Sequence, residues 1–195
     1  MKLDAGRLRR FVREVEFSDF ARIIRARYAH DPKGLSSGPS RFSSPTGAFK
    51  VLYAAEDFPT ALAEAVIRDR FVERTRRYIG LQTLEARAVT LISATAPLNL
   101  IDVRGDAAYA LGVDTDATRA RAHTAGQALS EALHRLTDAD GLLYGSRLKD
   151  RACVAIYDRA LAQIAASVAI PLVAHGELTA ELTRLEIIVR RPAAA

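Results

Sequence analysis

Two segments of the chain read as β-strands, Phe20 to Arg25 and Phe49 to Ala55, and the stretch between them suits no regular element. From Tyr28 to Gly47 it is rich in Gly, Ser and Pro, with Ser36-Ser37-Gly38-Pro39-Ser40 near its centre. Proline removes a backbone donor, and glycine and serine favour turns, so this stretch is read as one long loop. Loops of that length inside a compact domain are uncommon and usually functional. A fold for this chain must therefore hold a long irregular segment between two strands. The segment also carries a cation beside an aromatic ring, Arg41-Phe42.

The elements around the loop are mixed. In the second strand Phe49, Val51, Tyr53 and Ala55 share one face. Pro59 then opens a helix at a favoured early position, expected to run to about Arg74. Further strands are expected at Ala88–Ser93, Leu98–Val103, Gly141–Tyr144, Cys153–Tyr157, Ser167–Ala174 and Glu186–Val189. The clearest amphipathic helix is Arg119–Leu136, with Ala122, Ala125, Leu129, Ala132, Leu133 and Leu136 on one side. Residues 1–19 read as a charged helical or frayed lead-in, with Leu8, Phe11, Val12 and Val15 at rough helical spacing. Strands and helices alternate without a βαβ rhythm, which favours α+β over a doubly wound sheet. A length of 195 residues suits one compact domain, placed at 20–195 behind the lead-in.

Several function classes fall away. A lone cysteine, Cys153, excludes an internal disulfide framework and fits a reducing compartment. The histidines, His30, His123, His134 and His175, are scattered without ligand spacing, so no metal is expected. Neither a phosphate loop nor Gly-x-Gly-x-x-Gly occurs. Ser146 follows Gly145, but Leu148 stands where a nucleophile elbow needs its second glycine. No apolar run is long enough to span a membrane, and Met1 to Arg10 leads into no apolar core, so a cytoplasmic protein is expected. The net charge of +5, with 24 arginines to 4 lysines, invites a nucleic-acid reading. Arg70, Arg74, Arg76 and Arg77 would be its contacts, yet no recognition motif accompanies them.

Five segments place polar groups where chemistry can use them. In Phe20-Ala21-Arg22 the arginine can clamp a pyrophosphate, or be a solvated charge on an edge strand. In Gly38-Pro39-Ser40-Arg41-Phe42 the backbone is shaped by Gly and Pro, and Arg41 offers charge; an ordinary surface loop reads the same way. Tyr53, in Val51-Leu52-Tyr53-Ala54-Ala55, suits stacking on a planar base, or plain core. Glu64, in Ala61-Leu62-Ala63-Glu64-Ala65-Val66, can stabilise positive charge on a sugar ring, or pair with Arg68 at i,i+4. Ser146, in Leu143-Tyr144-Gly145-Ser146-Arg147, has no placed base and reads as a hydrogen-bonding residue.

Taken together and in order, these segments resemble the RES domain, the toxin half of bacterial RES–Xre toxin–antitoxin pairs. The resemblance covers roughly residues 20 to 160, including the apolar strand Ala152-Cys153-Val154-Ala155-Ile156-Tyr157 after the serine. The family's arginine, glutamate and serine fall on Arg22, Glu64 and Ser146, with Arg25 and Arg27 as neighbouring alternatives for the first. Ala21 stands where many members have an aromatic residue, and Ser40-Arg41-Phe42-Ser43 where many have Gly-Arg-Trp-Asn.

The resemblance implies an α+β fold similar to ADP-ribosyltransferases, with mixed or antiparallel sheets and flanking helices. It implies consumption of NAD+ as substrate, without a metal, by cleavage of the nicotinamide–ribose bond. The ADP-ribosyl group would pass to water or phosphate, or alternatively to a protein. Arg22 and Arg41 would hold the diphosphate, Tyr53 would stack on nicotinamide, and Glu64 and Ser146 would serve the ribose. The implied partner is a helix-turn-helix Xre-type antitoxin that binds DNA itself, so direct DNA binding by this chain is not expected. Arg119–Leu136 or the basic N-terminal segment would make the contact.

Overall fold

In the computed structural model, residues 4–35, 38–111, 123–149 and 151–191 are described. Strand β3, Val51–Ala55, lies inside the main sheet and is almost wholly buried. Its alternation feeds two cores. Val51 and Ala55 pack with Phe42, Phe58, Leu62, Leu129 and Tyr157 on one face. Leu52 and Ala54 pack with Ile92, Leu98, Val154 and Ile156 on the other.

Around β3 the sheet runs β1 (Val12–Val15), β6 (Leu98–Asp102), β7 (Gly141–Gly145), β8 (Ala152–Tyr157), β3, β2 (Phe20–Arg25), β5 (Arg87–Ala94) and β10 (Ile170–Pro171). Strand β9, Ile164–Ala166, pairs with the far end of β5. Of these pairings only β6–β7 is parallel. A separate parallel pair joins β4 (Tyr78–Gly80) to β11 (Ile188–Arg190), with the Arg190 guanidinium 3.5 Å from the Tyr78 ring centre. Helices α1 (Ala5–Arg9), α2 (Phe58–Leu62), α3 (Leu81–Glu85), α4 (Asp106–Ala110), α5 (Thr124–Leu136) and α6 (Leu178–Arg184) surround the sheets. The result is the expected α+β architecture, a mixed sheet with flanking helices.

The long loop between β2 and β3 is anchored by its own aromatic residue. Phe42 is fully buried and meets Tyr144 edge-on, with ring centres 4.9 Å apart. Helix α5 clamps the same segment with a polar row at i, i+3 and i+4. Gln127 Nε2 donates to the Ser40 carbonyl at 3.1 Å, Ser130 Oγ to the Phe42 carbonyl at 2.8 Å, and Glu131 Oε1 accepts from Thr46 Oγ1 at 2.6 Å. Ser130 Oγ also lies 3.1 Å from the Tyr157 hydroxyl. Ser130→Ala is expected to cost about 1–2 kcal/mol, because it strands the buried Phe42 carbonyl. Thermal denaturation should show Tm falling by about 3–6 °C; an unchanged Tm would mean the clamp is not holding the loop.

Four expectations need correction. Val12 and Val15 are not helical but belong to β1, because the edge of β6 offers them a ladder, Val12 opposite Ile101 and Val15 opposite Leu98. The helix opened by Pro59 does not reach Arg74. Helix α2 widens into a π-turn over Ala63–Ile67, closed by Arg68 N–H donating to the Ala63 carbonyl at 2.7 Å. Arg68 then takes φ 45°, and the charged run Arg68-Asp69-Arg70 has no apolar stripe to bury.

The expected strand Ser167–Ala174 is broken as well. Ser167 Oγ accepts the Leu91 N–H at 2.9 Å, a donor the ladder would otherwise use, and Pro171 lacks a donor of its own. What remains is β9, the short β10 and a 3₁₀ turn at Leu172–Ala174. The small sheet is the fourth correction: its strand near Glu186–Val189 lies at Ile188–Arg190, paired with a β4 that alternation does not reveal. Residues 119–122 of the expected Arg119–Leu136 helix lie outside the described residues. Among those described, no helix is long and apolar enough to cross a membrane.

Candidate active site

A cavity of about 980 Å³ opens between β2, β3, the long loop and the π-turn. That is the upper end of the range for small-molecule sites. Among the described residues lining it, seven side chains are cationic and two, Asp31 and Glu64, are acidic. The cations are Arg22, Arg25 and Arg27 on and after β2, Lys33 and Arg41 in the loop, and Lys50 and Arg68 beyond it. This excess equals the +5 of the whole chain, so the rest of the sequence balances to zero. The basic character belongs to the cavity, and a cleft of one sign concentrates anions.

Arg22 stands on an interior strand, which removes the edge-strand reading. Its guanidinium donates to three carbonyls: Pro32 at 3.1 Å, Tyr53 at 2.9 Å and Gly34 at 2.6 Å. It therefore staples the start of the loop to β3 while lining the cavity. Burial lowers its pKa to about 10, partly offset by Asp31, which leaves it cationic at neutral pH. Tyr53 fastens the loop further along. Its hydroxyl accepts the Phe42 N–H at 2.9 Å and lies 2.9 Å from Ser40 Oγ. Burial raises its pKa, against the opposing hydrogen bonds from Ser40 and Phe42. Arg41 and Tyr53 both line the cavity.

Glu64 sits in the π-turn, a geometry that often marks functional positions because it displaces a side chain from the helical row. It makes no ion pair with Arg68, so the i,i+4 reading does not hold. Instead Glu64 Oε1 accepts from Ser146 Oγ at 2.6 Å and from the Arg147 N–H at 3.2 Å. Its other oxygen, Oε2, accepts nothing among the described residues, and Glu64 lines the cavity.

Ser146 is only 6% exposed and lies behind Glu64 rather than in the cavity wall. Its Oγ accepts from the N–H groups of Leu148 and Lys149, both at 3.1 Å. Both lone pairs are thus occupied and the proton is given to Glu64, which leaves Ser146 nothing to attack with. Cys153 also lines the cavity, but burial, reinforced by the charge of Glu64, pushes its thiol up to about 12. A thiol kept protonated is a poor nucleophile. The site therefore offers a held carboxylate in a cationic cleft, suited to stabilising positive charge on a bound anionic molecule. Among the described residues no cluster could hold a metal ion.

Residues 18–181 match the RES domain. The chain belongs to the RES domain family. It is also similar to a protein of Sinorhizobium fredii (strain NBRC 101917 / NGR234) named "Probable toxin y4kH". The two are 36% identical over 87 residues, which is 44% of this chain and 68% of that protein. Among solved structures it is similar to a chain of the M. tuberculosis MbcT–MbcA toxin–antitoxin complex. That match has a TM-score of 0.61 and 17% identity, and covers 90% of this chain and 96% of the other. Identity that low shows the fold alone.

Within this RES domain, Arg22, Arg41, Tyr53 and Glu64 line one cavity, and Ser146 reaches it through Glu64. Sequence reasoning missed Lys33, Lys50, Arg68, Tyr144 and Cys153 as lining residues. Tyr144 and Cys153 face each other across β7 and β8, a pairing no local pattern reveals. The α5 clamp was missed too, although Gln127, Ser130 and Glu131 form a polar row at helical spacing that could have pointed to it.

Proposed function

We propose that this RES domain is the toxin of a toxin–antitoxin pair and that it consumes NAD+ by cleaving the nicotinamide–ribose bond. The observation that carries the reading is Glu64, held by Ser146 and the Arg147 N–H at a cavity with a large excess of cations. The diphosphate of NAD+ supplies the matching negative charge, for which guanidiniums are the best partners. Arg41 and the surrounding cations take that role, with Arg22 adding charge while it holds the loop. The Tyr53 ring offers a flat surface to nicotinamide.

When the bond breaks, its electron pair leaves with nicotinamide, which departs as a neutral base. The ribose is left with oxocarbenium character, and a fixed carboxylate stabilises the charge developing there. Water then adds to the sugar carbon and releases a proton, giving ADP-ribose, or phosphate adds to give its 1-phosphate. The chain supplies no nucleophile of its own in this scheme. The named relatives, a probable toxin and a toxin–antitoxin complex, support the toxin reading and an antitoxin partner. The proposed partner is a helix-turn-helix antitoxin of the Xre type, which would present acidic groups to the cationic cleft.

Incubating the purified protein with NAD+, with and without phosphate, and measuring nicotinamide tests the activity. Release is expected, with the sugar product changing when phosphate is present. Label from NAD+ appearing on protein would instead point to ADP-ribosylation of a macromolecule. Absence of release at high enzyme concentration would end the reading.

A further inference from the structure

A line of contacts runs from helix α6 to Glu64 without entering the cavity. Glu181 on α6 is only 6% exposed and accepts from Lys149 Nζ at 3.0 Å. It also accepts from Arg184 Nε at 2.8 Å and Nη2 at 2.6 Å. The Lys149 N–H, together with that of Leu148, donates to Ser146 Oγ, and Ser146 Oγ donates to Glu64 Oε1. Ser146, Lys149 and Glu181 are all absent from the cavity wall.

The two cations on Glu181 have different uses. Arg184, three residues along the same helix, already satisfies the buried carboxylate with a two-pronged contact. Lys149 is not needed for that purpose. Its contact instead joins α6 to the turn at 146–149, at the cost of ordering a long flexible side chain. Among the described residues, the turn carries both donors to Glu64: Ser146 Oγ and the Arg147 N–H. A serine whose lone pairs are both filled has one hydrogen to give and one direction to give it. Whatever fixes the turn fixes the carboxylate.

We infer that the Lys149–Glu181 ion pair is a positioning device for Glu64, holding the 146–149 turn so that Ser146 is a fixed donor to the carboxylate. The consequence for turnover rests on the proposed NAD+ reaction; the consequence for the turn does not. Lys149→Met is the cleanest variant, since it keeps the aliphatic stem and leaves Glu181 paired with Arg184. With NAD+ as substrate, kcat is expected to fall about tenfold to a hundredfold, the scale of a small misplacement of a catalytic group. KM should stay unchanged, because Lys149 does not touch the cavity. Lys149→Arg should restore kcat, Glu181→Gln should reproduce the loss, and Glu177→Gln, at the exposed position just before α6, should change nothing.

Hydrogen exchange reads the turn directly and needs no turnover. The amides of residues 147, 148 and 149 should exchange about tenfold faster in Lys149→Met than in the unaltered protein. Unchanged exchange overturns the inference, as does a rise in KM with kcat preserved, or a loss in the Lys149 variant that Glu181→Gln does not share. If the unaltered protein releases no nicotinamide, the NAD+ reading fails while exchange still decides the positioning role.

Discussion

Replacing Glu64 by Gln is expected to lower nicotinamide release at saturating NAD+ by about 10²–10³-fold, the scale of removing one preorganised electrostatic contact at a reacting centre. The substitution separates charge from shape. The glutamine carbonyl oxygen can still accept from Ser146 Oγ and the Arg147 N–H, the two donors that hold Oε1. At the position of Oε2, however, an amide NH₂ replaces a carboxylate oxygen, and a donor facing an oxocarbenium-like carbon stabilises nothing. KM should move little, because the negative diphosphate is held by the cations of the cavity and not by Glu64. The two quantities come from one kinetic series, with Tm as the check on folding. If kcat survives the change, Glu64 is a structural carboxylate and the chemistry lies elsewhere in the cleft.

Gly141→Ala is expected to destabilise the fold by about 3 kcal/mol, the upper part of the usual range for overpacking. Gly141 opens β7 opposite Ile156 of β8, at the centre of the sheet. A Cβ there would stand 2.2 Å from the Ala155 carbonyl oxygen and 2.9 Å from the Ile156 Cα. Both are backbone atoms of a paired strand, so relief requires moving the ladder that leads to Gly145 and Ser146. Thermal denaturation should place Tm about 6–12 °C lower. Gly176→Ala, where nothing lies within 4 Å of the added carbon, should leave it unchanged. Equal behaviour of the two variants would mean that β7 and β8 are not so closely apposed.

These two positions differ in how far they could be seen in the sequence. Glu64 stands out as an acid among small apolar residues, and its order relative to Arg22 and Ser146 carries the family resemblance. Its choice between a site and an Arg68 pair could not be made there. The i,i+4 argument assumes an α-helix, and the π-turn takes Arg68 out of that row. Gly141 looked like any glycine at a strand start. Its need for no side chain comes from β8, which follows it by a loop and approaches from the neighbouring position in the sheet.

Arg22 shows the same division. Its chemistry was legible, but its neighbours were not: three carbonyls from the loop and β3 converge on it, and its strand is interior. Cys153 was legible only as a single thiol. Its position in the cavity wall and its raised pKa are consequences of burial and of a carboxylate distant in sequence.

By itself the sequence determined the α+β class, the long loop between two strands, and the order in which arginine, tyrosine, glutamate and serine occur. All of these are written in local pattern, in composition, or in short motifs read along one line. Only the tertiary structure decided which cations share a cavity, that Ser146 Oγ donates to Glu64, and that α5 grips the long loop while α6 holds the Lys149 ammonium. Those facts depend on which residues distant in sequence become neighbours. Burial then decides their protonation and hydrogen bonding, because a buried group must find its partners within the protein.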